Sequence, residues 1–489
     1  MAATNTAQRA RMRRQLRGFI LVWIAVTFIM GACTFFAIFW VLGETGLIAG
    51  GTSGRNFALP TNNPGAAAVI VSSPIPTREQ PTAQPTTPPT PIPDAQAGGD
   101  TQAQAAAPTD LPPPTVAPTA LPVSNKAFDV GIQVQYSLDM NPDNQDNWMR
   151  EVAQKMRLRW FKQQVRWEDV QPERDTWDWS KLDLVMPSAG RFGLNVMLSI
   201  VTAPDWAREQ GVNTDKHGPP ANFADYVNFV TELLKRYPGQ VQAIEVWNEQ
   251  NLDREWTSTG GLSAANYVRL LRETFTAVKA IDPGVIVISG ALAPTGGWTE
   301  SDGRVSAIDD FDYLKQMIAA GLLNYSDCIG AHHNGYNIPP NVEWNAVPND
   351  PNASFRGPFE NPHHSWSFAS TLRTYANLVA TAGGDQKLCV TEFGWASTED
   401  LGGFPPGFEF ANDNTLEEQG EWIIQAIELM DEWDIVWLAF IWNFNYGPQA
   451  GWATDNDNVP YSIIGKDWAF RPAYDAIIAW GSARAEQGG

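Results

Sequence analysis

The sequence predicts an α/β fold, a (β/α)8 barrel, and three observations lead there. From residue 128 onward, short apolar runs alternate with longer amphipathic stretches, and each kind occurs eight times. The short runs are apolar on successive residues, the pattern of parallel strands covered on both faces by helices. A doubly wound open sheet would have fewer strands and a glycine-rich first turn, and neither is present.

The elements follow in order. FDVGIQVQY (128–136) reads as the first strand, and 144–157 as a helix with Trp148, Val152 and Met156 on one face. LRWFKQQV (158–165) is the second strand, with a helix around 180–192 after it. LNVMLSIV (194–201) is the third, followed by the helical FADYVNFVTELLKRY (223–237), which stops near Pro238-Gly239. VQAIEVWN is the fourth strand, and 263–281 a helix with Ser263 as N-cap and Pro283-Gly284 as its stop. VIVISGAL (285–292), DCIGAHH (327–333), KLCVTEFGW (387–395) and DIVWLAFIWNF (434–444) complete the strands. Helices at 309–321, 366–382, 416–433 and 471–480 follow them in turn.

Three blocks precede the barrel. Residues 1–17 carry five arginines and no acid. Residues 18–43 carry no charge, and at 1.5 Å rise such a run reaches roughly 36–39 Å, enough for a tilted bilayer crossing. It is longer than a signal-peptide core and lacks a convincing cleavage site. It is therefore expected to be an uncleaved single-pass anchor in the cell membrane, with the arginines in the cytoplasm and the barrel extracellular. Residues 44–125 form a Pro/Thr/Ala-rich linker: 16 of the 36 prolines lie between Pro60 and Pro122. Proline at that density blocks both helix and ladder, leaving an extended tether. The fourth block, 126–489, is the barrel domain.

This domain holds 26 basic and 49 acidic residues, a net −23, which argues against nucleic acid as a partner. Of three cysteines, Cys33 lies in the anchor run. Cys328 and Cys389 sit in apolar strands and are expected as two buried thiols, with one bridge as the alternative. Nineteen of the 21 tryptophans fall in this domain, and indole faces suit sugar rings.

In such a barrel, chemistry gathers at the C-terminal ends of the strands. Glu249 follows the fourth strand and Glu392 ends the seventh, so two carboxylates are expected at one mouth. Such a pair is what glycosidic hydrolysis needs: one acid for the leaving oxygen, and one nucleophile or base. Glu245, by strand alternation, shares a face with Trp247 and Glu249 but lies deeper, as a buried and paired carboxylate.

VRWEDVQPERDTWDWSKLD, AIEVWNEQN and CVTEFGW resemble the second-, fourth- and seventh-strand segments of clan A glycoside hydrolases, of the family 39 and family 5 type. The resemblance runs along most of 128–480. It implies Glu249 as acid/base, Glu392 as nucleophile and Asn248 as the contact to the sugar 2-hydroxyl. It also implies retention, with carboxyl groups roughly 5–5.5 Å apart, and an oligo- or polysaccharide substrate. The clan places an arginine five residues before the tryptophan of the second segment. Here Lys162 stands there, and Arg166 on the same strand face is a possible substitute. His332 matches the clan's sixth-strand histidine. The clan's tyrosine two residues later is Asn334 here, and Tyr336 is the nearest phenol. Trp442 matches the clan's sugar platform after strand eight, and Trp395 is either a platform or core. The rival reading is a non-catalytic carbohydrate-binding or structural protein on the same barrel.

No cofactor or metal is expected. DNDN (455–458) lacks the glycine and glutamate of a calcium loop. Neighbouring histidines, as in His332-His333 and His363-His364, rarely point at one ion, and the spacing suggests no third ligand. Two long loops, 337–365 and 396–415, are expected to wall the cleft.

Overall fold

The computed structural model describes residues 126–348, 353 and 363–486. The basic tail, the anchor run and the linker lie outside them. Among the described residues no helix is long and apolar enough to cross a membrane.

Eight parallel strands form the barrel: β1 (Asp129–Gln133), β2 (Trp160–Arg166), β3 (Asn195–Val201), β4 (Ala243–Val246), β5 (Ile286–Ser289), β6 (Ile329–Gly335), β7 (Leu388–Trp395) and β8 (Val436–Ile441). Continuous pairing runs β5-β4-β3-β2-β1-β8-β7-β6. The ring closes between β5 and β6 through the parallel bridges Ile288–Cys328 and Leu292–Ala331. Asp327 N donates to Val287 O (2.9 Å) and Ser289 N to Cys328 O (3.2 Å) at the same seam. Gly330 is required there, because a β-carbon on it would meet Ser289 O at 1.9 Å.

Among the described residues, eight helices of nine residues or more alternate with the strands: α1 (Pro142–Arg150), α2 (Ser180–Arg191), α3 (Phe223–Arg236), α4 (Ala264–Ile281), α5 (Asp310–Ala319), α6 (Phe368–Thr381), α7 (Leu416–Trp433) and α8 (Pro472–Glu486). Their starts follow local chemistry. Asn141, Asn222, Ser263, Asp309, Ser367 and Thr415 each accept a backbone N–H of the first turn. Thr415 and Glu418 form a full capping box. A two-stranded hairpin (Trp298–Thr299 with Val305–Ala307) decorates the excursion between β5 and α5.

The core has two layers. Outward strand residues such as Val196, Ile244, Val287 and Val390 pack against helix residues such as Phe229, Leu271 and Ile427. Inward residues Trp160, Met197, Ala243, Ile286, Leu438 and Phe440 fill the barrel around Cys328 and Cys389. These two cysteines are bridged, which corrects the expectation of separate thiols. The sequence spacing of 61 conceals that β6 and β7 are neighbours. Both side chains point into the barrel with Cα atoms 5.7 Å apart, within bonding range.

Candidate active site

Glu392 reaches the barrel mouth because β7 is irregular. Ala331 and His332 are consecutive on β6, yet they pair with Val390 and Glu392. Ala439 and Ile441 of β8 pair with Val390 and Phe393. β7 therefore carries one extra residue at Thr391–Glu392, a bulge that lets two successive side chains face inward. Thr391 Oγ1 donates to the inward Glu245 (2.7 Å), while Glu392 Oε1 accepts from Lys162 Nζ (2.9 Å).

Glu249 arrives by a different route. Val246 and Trp247 both pack outward among the helices, with Trp247 against Tyr226 (5.9 Å) and Trp256 (5.4 Å). The expected shared face of Glu245, Trp247 and Glu249 is thus broken after β4. Trp247 (φ 75°) and Glu249 (φ 46°) are left-handed, and Glu249 N donates to Ala291 O (2.8 Å). A non-glycine residue held at positive φ needs its surroundings to hold it, and such positions gather at functional sites. Glu245 itself is buried and accepts from Thr391 Oγ1 and Ala291 N, so its partners are hydrogen-bond donors rather than a cation.

His332 joins the two acids. Its Nδ1 lies 3.2 Å from Glu249 Oε1 and 3.9 Å from Glu392 Oε2. These carboxyl oxygens are therefore within about 7 Å of each other, a bound that admits the roughly 5–5.5 Å of retaining glycosidases. Burial alone would push the Glu392 carboxyl up. The Lys162 ammonium and then His332 outweigh it, and Glu392 sits below the ordinary glutamate value. For His332, burial pushes the imidazole down, but Glu392 and Glu249 beside it raise it on balance.

Lys162 is fully buried and also donates to Thr391 O (3.0 Å). Arg166 does not substitute for it: its Nη2 is paired with Glu168 and lies 3.4 Å from His217 Nε2. Trp442 is buried beside this pair, with Lys162 Nζ 5.5 Å from its ring centroid. Asn248 is buried at the mouth, and its Oδ1 has no partner among the described residues.

Tyr336 is placed differently from the expectation. Its ring packs on Phe410 (5.0 Å) in an apolar wall with Phe408, Trp442 and Tyr461. Tyr461 is instead the phenol that feels both acids: burial, then Asp457, Glu392 and Glu249, all raise it. Trp395 is core, donating to Ile338 O (3.0 Å) and packing on Phe368 (5.7 Å).

Sequence reasoning missed Arg254. Its Nη2 donates to Glu249 Oε2 (3.0 Å) and its Nε to Glu255 Oε1 (3.3 Å). A cation five residues past the Asn-Glu pair, in the same loop, was the available signal. Around it gather acids strained by burial. Glu255 is pushed up to about 7 by desolvation, against the pull of Arg254. Asp457, from the stretch set aside as a false calcium loop, is pushed up to about 7 in the same way. His217 is driven down to about 3 by burial and the arginines Arg166, Arg208 and Arg254, so it stays neutral.

The remaining histidine pair also departs from expectation. His363 and His364 do converge, on Asp309 Oδ2, at 3.7 Å and 2.8 Å from their Nε2 atoms. The missing third group comes from the loop before α5, beyond the reach of local spacing.

No family model matches the chain. No curated protein matches it either. Among solved structures it is similar to a family 39 glycoside hydrolase from the gut symbiont Bacteroides cellulosilyticus WH2 (TM-score 0.51, 17% identity, 75% of this chain and 66% of that one). Others are an exo-beta-1,4-mannosidase from Opitutaceae bacterium strain TAV5 (0.46, 14%, 74% and 60%) and xylanase 10B from Thermotoga maritima (0.48, 14%, 74% and 97%). The first likeness shows the fold, a (β/α)8 barrel, and this chain spans just under two thirds of that protein.

Proposed function

We propose that the chain is a retaining glycoside hydrolase that cleaves β-linked O-glycosides by double displacement. The observation that carries the reading is the pair Glu249 and Glu392 on either side of His332, with Lys162 holding Glu392 ionised. In the first step a Glu392 oxygen bonds to the anomeric carbon as the glycosidic C–O bond breaks. Glu249 delivers its proton to the departing oxygen. In the second step Glu249 takes a proton from water, whose oxygen displaces Glu392 from the sugar and restores both groups. Arg254, which donates to Glu249 Oε2, would support the carboxylate form that activates water. Asn248, whose Oδ1 is otherwise unpartnered, suits the sugar 2-hydroxyl, and Trp442 supplies an apolar face beside Lys162.

The test is hydrolysis of aryl glycosides and polysaccharides by the unmutated chain, Glu392→Gln and Glu249→Ala. Glu392→Gln is expected to lower kcat by about 10⁴-fold or more. Glu249→Ala is expected to lose about 10²–10⁴-fold on poor leaving groups and less on good ones, with azide restoring turnover. An unmutated chain that binds glycans without cleaving any in the panel would instead be the carbohydrate-binding alternative.

We further propose that the chain is anchored in a membrane by residues 18–43 with the barrel outside. The uncharged run and the buried disulfide support an oxidising compartment.

A further inference from the structure

We propose that Asp309, His363 and His364 form a site for one divalent transition-metal cation of the zinc type, which ties the loop after β6 to the start of α5.

The ligand atoms already converge. One carboxylate oxygen and two imidazole nitrogens lie within 4.8 Å of one another. In a tetrahedral site with bonds of about 2.0–2.1 Å, neighbouring ligand atoms stand roughly 3.3 Å apart. The observed 2.8 and 3.7 Å from Asp309 Oδ2 to the two Nε2 atoms straddle that value. Extended backbone at His363 (φ −129°, ψ 148°) followed by a helical turn at His364 sets the two rings 4.1 Å apart, both toward Asp309.

On each ring it is Nε2 that is turned toward Asp309. His363 Nδ1 accepts the Ser365 backbone N–H (3.3 Å) and lies 2.9 Å from Ser365 Oγ, so binding a metal through Nε2 would exchange that N–H contact for one to the hydroxyl. Among the described residues the buried His364 Nδ1 has no hydrogen-bond partner, and it lies 3.8 Å from Asp310 Oδ1. Asp310 is itself fixed by Thr295 N (3.0 Å) and the Tyr375 hydroxyl (2.9 Å). A carboxylate behind a histidine, orienting the ring from its far side, is a recurrent support of metal-bound imidazole. Phe311 stacks on His364 at 3.6 Å and fixes its plane. Two imidazoles and one carboxylate favour zinc, cobalt or nickel over calcium or magnesium, and a fourth ligand would complete the tetrahedron.

The site bridges two loops on the catalytic side of the barrel. It is independent of the sugar chemistry, so either reading can fail without the other.

Cobalt(II) titration of the full chain tests it, with the protein in detergent, free of any histidine tag and stripped of metal. One equivalent is expected to bind at micromolar concentration with the intense visible bands of tetrahedral Co(II), which zinc should displace. Asp309→Asn keeps a helix-capping side chain and His364→Ala removes an imidazole, and each is expected to abolish stoichiometric binding. Asp310→Asn is expected to weaken it about 10–100-fold. Glu392→Gln should bind as the unmutated chain does. Absence of one-equivalent binding overturns the proposal, as does binding that survives both Asp309→Asn and His364→Ala, or that is lost in Glu392→Gln.

Discussion

At the scale of single residues, the site is a balance of buried charges. Lys162 and Glu392 are both almost wholly removed from water, so each depends on the other. Lys162→Met is expected to raise the Glu392 carboxyl and lift the acidic limb of the kcat/KM–pH profile, with kcat/KM falling about 10²–10³-fold at its optimum. A pH–rate series on both proteins checks this, with thermal unfolding run alongside to score folding. Stability should follow pH through the same groups. Glu392, lowered on folding, stabilises above its unfolded value near 4.5 and loses that contribution as pH falls through its lower folded value. His332, raised on folding, stabilises below its unfolded value of 6.5 and loses it as pH rises through its higher folded value. His332→Gln should therefore flatten the alkaline side of a denaturation-against-pH curve and, because His332 helps Lys162 to lower Glu392, weaken the acid side as well, though less than Lys162→Met does. Glu249, Glu392 and Lys162 were legible in the sequence because short motifs carry them. Tyr461 was not, because it reaches the acids from the loop after β8, and Arg254 was not, because the turn that brings it back onto Glu249 leaves no periodic pattern.

At the scale of elements, two irregularities deliver the acids, and neither follows from strand periodicity. Alternation along β7 from the inward Cys389 would put Thr391 inside and Glu392 outside. The bulge adds one residue and turns Glu392 in as well. Alternation along β4 fails in the opposite sense, since Val246 and Trp247 both face the helices before Glu249 turns back. Eight strands and eight helices were readable because buried runs and amphipathic stretches leave strong patterns. A one-residue register change leaves none. The seam between β5 and β6 has its own test. Gly330→Ala would press a β-carbon onto Ser289 O, and overpacking of this kind costs about 1–3 kcal/mol or more. A lowered unfolding midpoint in urea, with unchanged KM in the molecules that remain folded, is the expected result. A midpoint equal to that of the unmutated chain would mean that the seam relaxes freely.

At the scale of the whole molecule, the proposed export of the barrel rests on two unrelated features, the disulfide and the uncharged N-terminal run. The bridge joins β6 and β7, the strands that carry His332 and Glu392, and closes a loop with a sequence separation of 61. Chain-entropy reasoning assigns such a link about 4 kcal/mol of stability. It is buried among Trp160, Met197 and Phe440, so mild reductant acting on the folded chain should leave it intact. Chain made in a reducing cytosol should instead carry free thiols and unfold at a lower temperature than exported chain. Thiol labelling under denaturing conditions separates the two forms, and scanning calorimetry compares their midpoints. The anchor is checked on the exported material. Chain tethered by residues 18–43 stays with membranes through high salt and alkaline carbonate, while protease added to intact cells cuts within 44–125 and releases the barrel. A mature chain that begins near residue 45 and washes free would show the run to be removed after export. Recovery of both cysteines as free thiols from that same material would remove the disulfide's support for an oxidising compartment.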